Sequence, residues 1–371
     1  MTGGRSEEEI APQVTTRAGP RGEVVVEPVP VDRSAEWEDF VRTREDTCFV
    51  DDWRWRDVVW DSYRLPSTWF LAKRDGKVAG ALGLTLTRHP VFGTYLATAP
   101  FGSYGGFYHE SDDVALALLR SAEKLREEVG ARHVNVRGLP AGSLEIPGWR
   151  RDRSYATYWL DLPGSAEEYV EDQLPKKVRW LVRKATGGAL RFALGSTELL
   201  DDFLFVMERS MKELGSPYHG RTYLVGILER FGSGAVLGVA YNGDGAPVGA
   251  NLLMLHGSSA TQVHANALQD HRSLLPAEFL YYSAIQTCCD LGLDRLDLGR
   301  SLIGSGNEQF KMKWRPRRLE LDYWYHLSRP DAPLPALNQG NPRLKYAIRT
   351  WQHLPLWLLR RIGPRLIKGI L

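Results

Sequence analysis

The sequence predicts an α/β (α+β) chain built as two tandem copies of one unit, each a mixed, mostly antiparallel sheet with helices, followed by a helical extension. Three observations lead there. The first is an internal repeat: D-G-K-V-A-G-A-L-G-L from Asp75 lies on D-G-A-P-V-G-A-N-L-L from Asp244, with five of ten positions identical at an offset of 169. The second is order. Each Asp-Gly pair favours a two-residue hairpin turn, and each is followed by an alternating run, a helical stretch stopped by glycine, and another alternating run. Gly130, Val134 and Val136 thereby fall on Gly292, Leu296 and Leu298, at an offset of 162. The third is length, since 371 residues exceed what one core commonly serves.

Bulk composition narrows the class. A hydrophobic fraction of 43% and a charged fraction of 25% suit folded cores in water. A net charge of +2 gives no global field for nucleic acid, so any cationic surface has to be local. Cys48, Cys288 and Cys289 form neither a disulfide framework nor a metal-ligand spacing; they read as packing residues in a reducing cytoplasm, and no metal site is expected. No apolar run reaches the roughly 20 residues of a spanning helix. The polar, acidic start lacks the apolar centre of a signal peptide.

Residues 1–23, poor in apolar side chains, read as a disordered tail. The first unit is expected over 24–160. A strand at 24–26 precedes helices at 34–41, with Ser34 as N-cap, and 52–63. Strands at 69–73 and 78–86 flank Asp75-Gly76. A strand at 94–100 runs into the glycine-rich segment Phe101-Gly-Ser-Tyr-Gly-Gly-Phe107. A helix at 114–129 stops at Gly130, and 133–137 alternates as a strand. The second unit, 161–330, repeats this with strands at 236–241, 248–255 and 260–267, a helix from Pro276 to Gly292, and a strand at 296–298. Between the copies, P-K-K-V-R-W-L-V-R-K-A from Pro175 sets Val178, Leu181, Val182 and Ala185 on one helical face. Its cations Lys176, Lys177, Arg179, Arg183 and Lys184 either form a solvated face or track phosphates. No acidic residue follows Asp331. The extension, 331–371, is a basic amphipathic helix pair broken at Pro355 and Pro364. It either docks its apolar face on the second unit, the expected case, or rests on an anionic membrane surface.

The stretch D-L-G-R-S-L-I-G-S-G-N-E-Q-F-K-M-K-W, from Asp297 to Trp314, concentrates polar chemistry. A strand hands over to glycine-rich backbone, and Arg300, Lys311, Lys313 and Arg315 follow. Glycines that open N–H groups beside fixed positive charge suit an anion or a developing oxyanion. A plain turn with solvated cations is the competing reading.

Over residues 24–361 the chain resembles the FemAB-like branch of the GNAT acyltransferase superfamily, in particular members associated with exosortase and exopolysaccharide loci. The similar motifs are C-F-V-D-D-W at Cys48, P-F-G-S-Y-G-G at Pro100, P-K-K-V-R-W-L-V-R-K-A, the run from Met211 to Pro217, D-L-G-R-S-x-x-G-S-G-x-x-x-F-K-x-x-W, and N-P-R-L-K-Y-A-I-R-T-W-Q-H-L-P-L. The resemblance implies two GNAT-like domains and transfer of an acyl or aminoacyl group to an amine. It places Phe310 and Lys311 in the active site, with the lysine stabilising the tetrahedral intermediate. A coiled-coil insertion frequent among the peptidoglycan-bridge relatives has no counterpart here.

Acyl transfer to an amine passes through an oxyanion, and a fixed cation or N–H pair beside it is a large catalytic contribution. Lys311 supplies such a charge, with Arg300 and the backbone of Gly304, Ser305 and Gly306 beside it. Asp297, His264 or the substrate itself are the candidate proton acceptors. Phe310, Ser301, Asn266, Tyr104 and Gly105 complete the expected substrate surface. Enzymes of the superfamily that use acyl-CoA carry Arg/Gln-x-x-Gly-x-Gly/Ala between a strand and a helix. Arg300 to Gly306 is one residue too long and shows no clear helix after it. Acyl-CoA and aminoacyl-tRNA therefore both stand as donor substrates, with no tightly bound cofactor. A tRNA would follow Lys176, Lys177, Arg179 and Arg183. The acceptor class is an amine of an envelope precursor, an exopolysaccharide sugar or a small metabolite, at a cytoplasmic site or at the inner face of the membrane. A non-catalytic accessory role in envelope or polysaccharide assembly is the alternative.

Overall fold

One order of eight elements occurs twice. In the computed structural model, which describes residues 22–139, 145–335 and 345–370, the first half opens with β1 (Val24–Pro28), α1 (Ser34–Arg42) and α2 (Trp53–Tyr63). It continues through β2 (Ser67–Arg74), β3 (Lys77–His89), β4 (Gly93–Ala97), a short β5 (Phe107–His109), α3 (Asp112–Glu128), β6 (His133–Gly138) and β7 (Trp149–Asp152). Next come β8 (Tyr155–Asp161), α4 (Ala166–Glu168) with a π turn, and α5 (Lys176–Thr186). The second half repeats the plan with β9 (Arg191–Gly195), α6 (Leu200–Glu213), α7 (Arg221–Phe231), β10 (Ala235–Tyr241), β11 (Pro247–His256), β12 (Ser259–Ala267), α8 (Pro276–Asp290) and β13 (Arg295–Asp297). It ends in β14 (Ser301–Leu302), α9 (Gly306–Met312), β15 (Arg317–Glu320), β16 (Asp322–Leu327), α10 (Lys345–His353) and α11 (Leu356–Ile367). The tail expected over 1–23 lies, apart from Gly22 and Glu23, outside the described residues.

Local chemistry explains the shared plan. Asp75 and Gly76 both take positive φ, 49° and 76°, as a primed two-residue hairpin turn requires. Gly130 (φ 65°) and Gly292 (φ 68°) stop α3 and α8 in the left-handed conformation that glycine adopts without strain. The apolar stripe of α3, including Val114, Leu118, Ala122 and Leu125, is buried on the first sheet.

The sheets, however, are not two separate halves. The first runs β1-β2-β3-β4-β6-β16-β7 and the second β14-β8-β13-β12-β11-β10-β9, with β15 on β8 and β5 on β3. Thus β8, expected in the first unit, pairs with β13 and β15 in the second sheet. Conversely β16, expected in the second unit, inserts between β6 and β7. The boundary drawn at 160/161 is therefore crossed in both directions. Local periodicity identifies a strand but carries no information about which distant edge accepts it. One apolar cluster also joins the halves, with Phe49, Trp55 and Val59 packed among Phe203, Tyr223 and Val239.

Two details set the second half apart. The parallel ladder between β12 and β13 ends at Thr261–Asp297, while β12 continues to Ala267. A bulge interrupts β12 at Val263, between the pairs Leu252–His264 and Leu253–Gln262; bulges of this kind re-aim side chains near functional sites. In the first half the matching split is stitched shut. Thr98 donates its N–H to the Asn135 carbonyl (3.0 Å) and its hydroxyl accepts from the Arg137 N–H (2.8 Å).

Candidate active site at the end of β13

Asp297, on the last position of β13, is buried. Its carboxylate accepts from the Thr157 hydroxyl (2.6 Å), the Gly299 N–H (2.8 Å) and the Tyr104 hydroxyl (2.9 Å). Thr157 stands on β8 and Tyr104 in the glycine-rich segment of the first half, so three distant stretches meet on one carboxylate. Gly299 takes φ 73°, which lets the backbone fold back toward its own aspartate.

Lys311 approaches from α9. That helix was not expected, yet S-G-N-E from Ser305 is a capping sequence. The Ser305 hydroxyl accepts from the Glu308 N–H (3.2 Å), and the Glu308 carboxylate takes the Gly304 N–H, the Tyr158 hydroxyl (2.9 Å) and Arg318 Nε (3.0 Å). Burial pushes the Glu308 carboxyl up, but these donors outweigh it and hold it below the usual range. The expectation that this turn opens backbone donors to an anion is corrected for Gly304 and Ser305, whose N–H groups go to the Glu308 carboxylate and the Leu302 carbonyl (3.1 Å). One turn later Lys311, 4% exposed, donates to the carbonyls of Gly299 (2.9 Å) and Arg300 (3.0 Å). Its ammonium also lies 5.4 Å from the centre of the Tyr158 ring. Burial lowers its pKa to about 8, against the opposing charge of Asp297 and with a further push from Arg300. At neutral pH the group is cationic, and two of its three N–H bonds are engaged.

Arg300 extends the cluster toward the first sheet. It donates to the Tyr323 hydroxyl (2.8 Å) and lies over the Tyr155 ring (5.4 Å), while its backbone N–H reaches Ser103 Oγ (3.2 Å). Tyr323 donates to the Ser103 carbonyl (2.6 Å). Asp297, Arg300 and Lys311 are thus brought together, with Phe310 alongside against Tyr281 (ring centres 5.0 Å). The expectation did not include Thr157, Tyr158, Tyr155 or Tyr323. Their segments read only as strands, because the partner strand lies in the other half.

The remaining expected residues are placed as follows. Tyr104 is a buried strut on Asp297 and, with Gly105, lines a cavity of 190 Å³. Gly105, at φ 125°, would set a Cβ 2.6 Å from Val50 and 3.0 Å from the Asp51 carboxylate, so close packing requires glycine there. Ser301 accepts from the Asn307 amide (3.0 Å). Asn266 turns to Met211 Sδ (3.5 Å). His264 packs against Tyr218 (5.3 Å) and His219 (5.6 Å), its buried Nε2 has no partner, and burial lowers its pKa to about 4. On α5, Arg179 and Arg183 pair with Glu171, which leaves Lys176 and Lys177 exposed. No cluster able to hold a metal ion occurs among the described residues.

Residues 172–312 match the family described as Acetyltransferase (GNAT) domain, a span running from before α5 to the end of α9. No curated protein matches the chain. Among solved structures, FemX is similar with a TM-score of 0.62 at 13% identity, over 81% of this chain and 97% of that one. A tandem GNAT protein from the clavulanic acid biosynthesis pathway has a TM-score of 0.54 at 15% identity, over 84% and 100%. L-PGS from Bacillus licheniformis has 0.53 at 13% identity, over 91% and 98%. The fold class follows: a tandem GNAT architecture with a FemAB-like arrangement of its halves.

Proposed function

We propose that this protein is an acyltransferase that moves an acyl or aminoacyl group from a thioester or an aminoacyl-tRNA to an amine. The observation that supports this most is Lys311, a buried cation with one N–H to spare, at the strand split of a GNAT domain. In the proposed reaction the amine nitrogen attacks the carbonyl carbon and the C–N bond forms. The carbonyl oxygen takes up negative charge, which the spare N–H of Lys311 stabilises. The bond to sulfur or to the ribose oxygen then breaks, and the proton lost by the amine leaves with that group. Asp297, already holding three donors, favours the charged form of Lys311, which the Gly299 and Arg300 carbonyls hold in place. His264 packs with Tyr218 and His219 and is not assigned a proton-transfer role.

Between donors, a pyrophosphate at 304–306 would face the Glu308 carboxylate, which counts against the usual CoA cradle at that turn. Lys176 and Lys177 favour a polyanion near α5, which is the sense in which tRNA is proposed. For the acceptor we propose an amine of an envelope precursor, an exopolysaccharide sugar or a small metabolite, met in the cytoplasm. Contact with an anionic membrane would use the outer stripe of α10 and α11, where Tyr346 and Trp357 are 81% and 66% exposed among Arg349, Arg361 and Arg365. No described helix is long and apolar enough to cross a membrane. The test is to incubate the full chain with acyl-CoAs and aminoacyl-tRNAs and a panel of amines, and to seek new amides by mass spectrometry. Amide formed above the uncatalysed rate supports the reading. None from either donor class favours the accessory role.

A further inference from the structure

The C-terminal helices do more than cover the second half. Between them and α6 lies a cavity of 480 Å³, within the range of small-molecule sites. Leu204, Phe205 and Met211 form one wall, and Trp351, Leu356 and Leu359 the other. Among the charged side chains at its edge, Arg221 pairs with Asp201 and Arg360 with Glu208, Lys212 stands beside them, and apolar side chains form the two facing walls. Its roof is fixed in place. Gln352 donates to the Glu213 carbonyl (2.6 Å), Tyr95 to the Gly369 carbonyl (2.9 Å), and the His89 ring meets the Arg365 carbonyl (3.0 Å). Gly363 lies so near the Tyr218 backbone that an added Cβ would sit 3.1 Å from its carbonyl oxygen.

One end of this cavity is polar. The Tyr63 hydroxyl accepts the Gly220 N–H and meets His219 Nδ1 at 2.6 Å. The His219 ring is stacked on Tyr223 at 4.0 Å. Beside it the Tyr218 hydroxyl is buried without a partner. Orphaned polar atoms of this kind are rare and call for a reason. His219 and Tyr218 at one end and aliphatic or aromatic walls elsewhere form a site for an amphiphile.

We propose that this cavity binds a fatty acyl chain, with its carboxyl or carbonyl oxygen at His219 and Tyr218 and its methylenes between α6 and α11. The site is separate from Lys311 and does not depend on the transferase reading. It also gives the C-terminal helices a task, since they supply one of its walls.

Calorimetric titration of the full chain with decanoate tests this. Saturable one-to-one binding is expected. Leu359→Trp and Met211→Trp, which fill the space from opposite walls, are each expected to weaken it at least tenfold without lowering the melting temperature. His219→Phe is expected to weaken decanoate tenfold. Absence of saturable binding, or binding unchanged in both filling variants, overturns the proposal. Should those variants misfold, crystals of the unaltered protein soaked with terminally brominated decanoate decide: an anomalous peak beside Trp351 supports the site, and none overturns it.

Discussion

Asp297 has a counterpart in the first half. At the offset of 162 that aligns the two copies stands Asn135, whose side chain accepts from Arg137 Nε (2.6 Å). One position thus carries a carboxylate in one copy and a neutral amide in the other. The difference matters because only a carboxylate offsets a cation desolvated nearby. Lys311 shows the cost of that desolvation. Its pKa of about 8 in the fold, against 10.5 in the open chain, means the unfolded state binds more protons between those values. Folding stability therefore falls as pH drops from about 10.5 to 8 and is level below that, a penalty of about 3 kcal/mol. Lys311→Met removes the titrating group. Its stability relative to the parent should rise by an amount of that order between pH 10.5 and pH 7, read from urea midpoints; a pH-independent difference would contradict the burial argument. Asp297, Arg300, Phe310 and Lys311 were legible in the sequence because they share one short stretch. Thr157 and Tyr158 were not, since their relevance arises only when β8 pairs across the halves.

At the level of elements, helices with glycine stops and strands with Asp-Gly turns could be read directly, because their signals are local. The short α9 was missed although Ser305 and Glu308 mark its start; three glycines nearby obscured it. In α11 the helix runs through Pro364, where a break had been expected, while Pro355 does separate it from α10. Docking was the expected case for the extension, and its contacts with α6 agree with that. Trp351 and Leu359 are buried on α6 and its loop, and cations lie outside. Removing residues 345–371 uncovers the apolar surface they seal. The truncated protein is expected to lose about 3 kcal/mol or more, at roughly 1.5–3 kcal/mol for each large side chain unburied. An unchanged melting temperature would mean the helices only rest on the surface.

For the molecule as a whole, exchange of β8 and β16 is the dominant fact. Each sheet takes a strand from the other half of the chain, and the core around Trp55 and Tyr223 spans both. Such halves should not unfold separately. A single calorimetric transition with matching calorimetric and van't Hoff enthalpies is expected, and two resolved transitions would contradict it. A fragment of residues 22–160 should fail to fold, because it lacks β16 between β6 and β7 and leaves β8 without partners. The same exchange brings Tyr323 and Thr157 to the cluster around Arg300 and Asp297, so the site exists only in the joined structure. The most direct measurement is turnover by Lys311→Met in the donor and amine pair that gives product with the parent protein. If the buried ammonium stabilises the oxyanion, turnover falls by roughly a hundredfold or more with the fold intact by circular dichroism. Turnover within about threefold of the parent would remove Lys311 from the chemistry.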